Sequence, residues 1–348
     1  MWQFICRRLG LMFLTALSLT FIVFFLTNLQ PNLEKLAKTE GNQRMSDIQV
    51  ESWLDDRGYN QPLLLRYGEW LGIVPGYVRT DEEGKTRGRC IRPEIKDTPS
   101  YCGLLQGSFG YSTTFDEPVS GVVSRRLGLT GILMFWVMIV MVPMALIIGI
   151  LAGIREGSKT DRTLSTVAIG LTATPEYISG VILSVIFAST IVFGERLLLP
   201  SSQTAMENIT FSNFTLPVMT MVLYGMGYIA RMTRASMAEV MTAQYIRTAR
   251  LKGVSFANIV VKHALRNALI APFTVIMLQF PWLLTGVVIV ETLFNYKGFG
   301  WLLVKAADTN DIELLLSCSV VAVVVVLVTQ LISDIGYVFL NPRIRVNS

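Results

Sequence analysis

The sequence predicts an all-α membrane protein with six transmembrane helices and a folded hydrophilic region after the first. Three observations lead there. The 348-residue chain is 52% hydrophobic and only 16% charged, with mean hydropathy +0.50, whereas soluble domains carry about 25% charged residues. Apolar stretches long enough to cross a bilayer as helices, about twenty residues each, recur along it. The charges gather in the connections between those stretches. The length would allow two soluble domains, but the charge deficit argues against them. The net charge of +5 therefore bears on membrane orientation and carries no implication of nucleic acid.

The six expected spans are residues 9–29, 129–154, 165–193, 216–230, 268–290 and 317–340. In lipid every backbone polar group needs an internal partner, so each should be helical. Arg7 and Arg8 precede the first span as in a signal peptide. Its apolar run exceeds the roughly 7–15 residues of a signal core, and no small-x-small cleavage site comes after it. It reads as an uncleaved helix with a cytosolic N-terminus. The fourth stretch is short and contains Tyr224-Gly-Met-Gly-Tyr228, so its helix should extend outward to about Phe211.

Charge sets the orientation. With alternating topology, the cytosolic pieces hold Arg7, Arg8, Arg155, Lys159, Arg162, Arg231, Arg234, Arg247, Arg250, Lys252, Lys262, Arg266, Arg343 and Arg345, against the acids Glu156, Asp161 and Glu239. The short outer loops hold only Arg196, Lys297 and Lys305. Basic short loops stay inside, so both termini are expected in the cytosol.

Residues 31–128 form a hydrophilic connection too long to be a bare loop. Ser46 is the expected N-cap of a short helix that turns Trp53 and Leu54 to one side. Tyr59-Asn-Gln-Pro62 breaks it, and residues 63–71 form a second helix. Residues 75–103 are polar and Gly-rich and read as an insertion. Cys90 and Cys102 lie in it, twelve positions apart. In an oxidising compartment they pair, adding roughly 3 kcal/mol by loop closure; otherwise they are two free thiols. Gly84-Lys85-Thr86 resembles the end of a phosphate-binding loop, but that motif needs an earlier Gly where Arg79 stands. No nucleotide site is expected on this chain. His263 is its only histidine, which leaves neither a metal site nor a catalytic triad within reach.

The most distinctive stretch is Tyr245-Ile-Arg-Thr-Ala-Arg-Leu-Lys-Gly253, with His263-Ala-Leu-Arg-Asn-Ala-Leu269 after it. It resembles the cytosolic signature of ABC importer inner-membrane permeases of the oligopeptide/dipeptide/nickel group, first-permease type. Arg247-Thr-Ala249 takes the Glu-Ala-Ala place of the wider superfamily, Gly253 matches its glycine, and His263-Ala-Leu-Arg266 takes the Ile-x-Leu-Pro place. Phe4-Ile-Cys-Arg-Arg-Leu9, Gln106-Gly-Ser-Phe-Gly-Tyr-Ser112 with Pro118-Val119, Glu291-Thr-Leu-Phe294 with Gly298-Phe-Gly300, and Asp334 with Asn341-Pro-Arg-Ile-Arg345 are similar to further family segments. The resemblance covers most of the chain outside the insertion. Asn208-Ile-Thr210 and Asn213-Phe-Thr215 match a glycosylation pattern, which is discounted because the family is prokaryotic.

The resemblance implies a type I ABC importer permease fold with a periplasmic subdomain after the first helix, in a bacterial inner membrane. The expected division is a first helix (1–30), a periplasmic subdomain (31–128), a five-helix core (129–340) with a cytosolic coupling loop (231–267), and a tail (341–348). The partners it implies are a second homologous permease, two ATP-binding subunits and a periplasmic solute-binding protein. The chain itself is not an enzyme and binds no cofactor; ATP and Mg sit on the partners. Tyr245, Arg247, Thr248, Ala249, Arg250, Gly253, His263 and Arg266 are expected to meet the ATPase or shape the turn. An aromatic, small and basic mixture suits a groove on a soluble partner. The alternative is a loop whose basic residues only fix topology. Glu176 beside Pro175 either lines the pathway, pairs with a partner chain or sits solvated at a kink. Gln279, Phe280 and Trp282 around Pro281 are pathway candidates or helix-packing residues. A secondary transporter and a membrane-bound sensor or scaffold are competing functions; no internal repeat favours the first. Peptides are the cargo implied by the resemblance, with other small polar solutes open.

Overall fold

The computed structural model describes residues 2–80, 86–88, 90, 99–188, 191–192 and 195–340. Gly84-Lys85, the centre of the insertion, and the 341–345 motif with Arg343 and Arg345 lie outside them. Among the described residues the fold is helical, with three short antiparallel strand pairs: β1 (Val78–Thr80) with β2 (Thr86–Gly88), β3 (Tyr111–Ser112) with β4 (Glu117–Pro118), and β5 (Ile191–Val192) with β6 (Glu195–Arg196). The chain groups into two units.

The first unit is Met1–Arg126 with Leu302–Val324. Helix α1 (Trp2–Thr27) is part of it and packs with the short helices after it. Helix α2 (Gln30–Glu40), which the sequence reading missed, begins with Pro31 in its first turn, where a missing N–H costs nothing. Helix α3 (Asp47–Asp56) opens on a capping box: Gln49 donates its N–H to Ser46 Oγ, and its side chain accepts from the Ser46 N–H at 3.0 Å. Helix α4 (Leu63–Leu71) starts after Pro62 and ends on Gly72 at φ +85°. Trp53 and Leu54 face inward, joining Phe24, Leu33, Leu36, Tyr67 and Trp70. Ile312, Leu316 and Val320 from the start of α14 (Ile312–Leu340) complete this core. The Tyr67 hydroxyl shares a 2.8 Å hydrogen bond with Thr20 and donates to the Leu17 carbonyl at 3.2 Å, so α4 is pinned to α1. Cys90 and Cys102 form a disulfide with Cα atoms 5.4 Å apart.

The second unit is Leu127–Trp301 and, beyond Val325, the rest of α14. Its centre is α8 (Phe211–Met241), packed by α5 (Val119–Ile154), α6 (Lys159–Ala173), α7 (Glu176–Ala188) and α12 (Ile270–Leu293). A ten-residue helix, α13 (Phe299–Asp308), stands between α12 and α14 in the chain. Small residues let backbones approach. A Cβ on Gly153 of α5 would lie 2.7 Å from the Arg234 carbonyl oxygen, and one on Gly149 2.6 Å from that of Ala230. A Cβ on Gly227 would lie 2.5 Å from the Ala168 carbonyl oxygen on α6. In lipid, where apolar side chains gain little by leaving the solvent, such close packing holds helices together.

The expected spans are modified in two places. Among the described residues, Cys6–Thr27, Val119–Ile154 and Ile312–Gly336 are long and apolar enough to cross a membrane as single helices. The third expected span is broken. Helices α6 and α7 meet at 105° around Thr174-Pro175. Proline forces its predecessor out of the helical region, and Thr174 is extended at φ −91°, ψ 119°. The start of the fifth is bent by 51° between Phe256–Ala268 and Ile270–Leu283. Counting each bent pair as one span gives five. Helix α8, at 31 residues, has the expected outward extension to Phe211. Among the described residues α8 is not one of these long apolar helices.

Replacing Gly153 by Leu should destabilise the second unit by about 1–3 kcal/mol through overpacking. Gly131→Ala, where nothing lies within 4 Å, should stay within about 0.5 kcal/mol. Thermal unfolding of the detergent-solubilised protein compares them. Equal midpoints would show that the Gly153 approach is not needed.

Candidate docking surface at residues 244–268

Helix α9 (Gln244–Leu251) leaves the end of α8 after a two-residue turn. Its amphipathic pattern divides it. Ile246 and Ala249 are buried against Met237 and Met241 of α8 and against Ile259, Val260, Ala264 and Ala268. Ala249, expected at a partner contact, is therefore an internal packing residue whose small size lets α9 lie close to its support. Tyr245, Arg247, Thr248 and Arg250 point to the exposed side. The Tyr245 hydroxyl accepts a 2.9 Å hydrogen bond from the Asn267 amide, closing the segment on itself.

Gly253 ends α9 at φ +76°. Its N–H donates to the Arg250 carbonyl at 3.0 Å, and the Val254 N–H donates to that of Ala249 at 3.2 Å. This double bond pattern is a Schellman motif, and the left-handed residue it needs is cheapest as Gly. The chain continues as α10 (Phe256–Asn258), a π-helical turn (Ile259–Ala264) and α11 (Leu265–Ala268). His263 lies in the π turn and Arg266 in α11, both exposed. Single π turns recur at functional sites because they re-aim side chains.

Residues 244–268 contain no acid. Arg247, Arg250, Lys252, Lys262 and Arg266 are all exposed, and between them stand Leu251 (82% exposed), Val261 (62%) and Phe256 (48%). Sequence reasoning missed these three. The available signal was apolar residues set among charges, off the inward stripe. Exposed apolar and exposed basic side chains thus alternate along this acid-free segment.

A second feature escaped the sequence reading, which counted Asp161 as a loop acid. Arg234 on α8 grips its carboxylate with Nε at 3.0 Å and Nη2 at 2.7 Å. Asp161 also accepts from the Gly157 N–H at 2.8 Å and the Ser165 hydroxyl at 3.0 Å. It precedes the apolar part of α6 and is buried. The Arg234 bonds and these two donors give both of its oxygens hydrogen-bond partners.

The pathway candidates stand on two helices, α7 and α12. Glu176 is half-buried in the first turn of α7. Gln279 is buried on α12, with Phe280 and Trp282 half-buried. Trp282 stacks on Tyr224 of α8 with ring centres 4.8 Å apart, which is a packing contact in this chain. Pro281 is accommodated inside the continuous α12. Among the described residues no hydrogen bond joins Glu176 to the α12 group, and no cluster of three metal-ligating side chains occurs.

Residues 145–346 match the family described as the binding-protein-dependent transport system inner membrane component. The chain belongs to this family. It is therefore an integral membrane permease component of such a transport system. Among its relatives, the glutathione transport system permease protein GsiC of Salmonella choleraesuis is 34% identical over 242 residues, covering 70% of this chain and 76% of that one. The di/tripeptide transport system permease protein DppB of Pseudomonas aeruginosa is 29% identical over 364 aligned residues, covering 99% of both chains. The oligopeptide transport system permease protein AppB of Bacillus subtilis is 28% identical, covering 99% of this chain and 100% of its own.

Gly253→Ala should strain the turn by about 1 kcal/mol. Amide exchange of residues 246–254 should then quicken about fivefold, while the global melting temperature holds. Unchanged exchange would mean that the left-handed turn is not what terminates α9.

Proposed function

We propose that this permease forms one half of the translocation pathway of an ATP-driven importer for peptides or related small polar solutes. A second homologous permease supplies the other half. Two ATP-binding subunits hold the nucleotide and its Mg, and a periplasmic solute-binding protein delivers the cargo. In this reading the chain crosses the inner membrane six times: α8 is a span, each bent pair is one, and both termini are cytosolic. Relatives named for di/tripeptide, oligopeptide and glutathione transport support a peptide-like cargo.

One observation carries the ATPase contact: a folded, acid-free segment that exposes Leu251, Val261 and Phe256 along with five arginines and lysines. Such a face is costly to leave in water, and its own support on α8 is already complete. Tyr245, Arg247, Thr248, Arg250, His263 and Arg266 line the contact, while Ala249 and Gly253 shape it. Glu176, Gln279, Phe280 and Trp282 remain the pathway residues of this proposal, brought to a common lumen by the second permease.

The complex purified through this chain, with and without Arg247→Glu plus Leu251→Glu, tests the contact. Both positions are exposed, so the membrane protein should stay folded. The co-purified ATPase should fall roughly tenfold or more. An undiminished ATPase would place the contact elsewhere, and a native complex with no ATPase would sink the importer reading.

A further inference from the structure

The docking segment is fastened to the last turns of α8 in two ways. Met237 and Met241 bury against Ile246 and Ile259, and the Ser236 hydroxyl donates to the Ala268 carbonyl at 2.8 Å. Arg234, one turn before Met237, is where other elements meet the same part of α8. Gly153 of α5 lies against its backbone. Glu156, in the turn between α5 and α6, is 3.5 Å from its guanidinium. Asp161, in the first turn of α6, takes its two-pronged grip.

The geometry of that grip is unusually complete. Asp161 has two Arg234 nitrogens, one backbone N–H and one hydroxyl around its two oxygens. Its own N–H donates to Ser158, which caps α6, and Gly157 at φ +77° lets the turn fold back. Paired forks of this kind fix direction as well as distance. A buried ion pair is poor evidence for stability, since apolar residues of equal volume often serve as well. It is better evidence for a required orientation. Here the orientation ties the start of α6 to the stretch of α8 that carries the docking segment. At its far end, α6 stops at the Thr174-Pro175 break, where a bend of 105° leaves no continuous helix to resist rotation.

We propose that Asp161 and Arg234 are a positioning pair that makes α6 move with the docking segment when the ATPase partner displaces it. This rests on the ATPase contact proposed above. The clasp, α8 and the docking segment move as one rigid piece, and the break at Pro175 absorbs the rotation. Without the clasp, α8 still moves with the partner and the Gly227–Ala168 approach still holds the middle of α6, but the start of α6 lags.

The test uses the complete complex in lipid nanodiscs, with Cys6 replaced by Ser and spin labels at Lys159 and Asn258, both exposed. Their separation is read by pulsed electron spin resonance in the nucleotide-free and the ATP-plus-vanadate states. In the parent complex one narrow distance should persist in both states. In Asp161→Asn, ATP hydrolysis should remain within about twofold, while the distance shifts or splits between the states. Arg234→Lys, which keeps the charge, should restore the single distance in part. A distance that stays fixed in Asp161→Asn overturns the proposal. If that variant does not assemble, Asp161→Asn with Arg234→Gln leaves no orphan charge and is measured in the same way. Failure of the double variant to assemble would mark the pair as a folding element and also overturn the proposal. Absence of an ATPase from the parent complex would instead refute the docking reading.

Discussion

Close approach of helix backbones to α8 is the constraint on which the second unit depends. Lipid removes most of the hydrophobic advantage of bringing two helices together, so contact has to come from fit. Gly149, Gly153 and Gly227 supply that fit, placing carbonyl oxygens of α8 or α6 where a Cβ would otherwise stand. Thr210 and Asn213 cap the start of α8 reciprocally, which sets where its register begins. The supports of the 244–268 segment are referred to that register. Met237 and Met241 support α9, Ser236 holds α11, and Arg234 holds α6.

The 244–268 segment illustrates how a short helix becomes a rigid surface. Eight residues cannot hold a helix alone in water. Here Ile246 and Ala249 are buried, the Schellman bonds at Gly253 close the end, and Tyr245 is tied to Asn267. Order on the inner side frees the outer side for chemistry. That division explains why the exposed positions can combine arginine with leucine and phenylalanine, a mixture that packing alone would not select.

Much of this was legible in the sequence because it rests on local rules. Ser46 as a helix cap, the break at Pro62, the inward Trp53 and Leu54, and Gly253 as a terminator all come from backbone chemistry within a few residues. The family signature was equally readable, since it lies in one contiguous stretch. Helix α2 was missed because its polar composition hid a regular inward pair, Leu33 and Leu36. Ala249 was placed at the partner contact because a motif marks that a residue matters without saying which way it faces. Asp161 passed as a loop acid because its partner stands seventy-three positions away.

What the sequence determined by itself was the membrane class, the family, the caps and breaks of α3 and α4, and the basic character of the 244–268 segment. These depend on apolar length, on charge placement and on caps and breakers, all of which act within one or two turns. The tertiary structure alone decided which side of α9 is buried and that Arg234 closes on Asp161. Each of these depends on which surfaces meet. Two helices far apart in sequence choose their contact by shape and by burial of polar groups, and no local pattern encodes that choice.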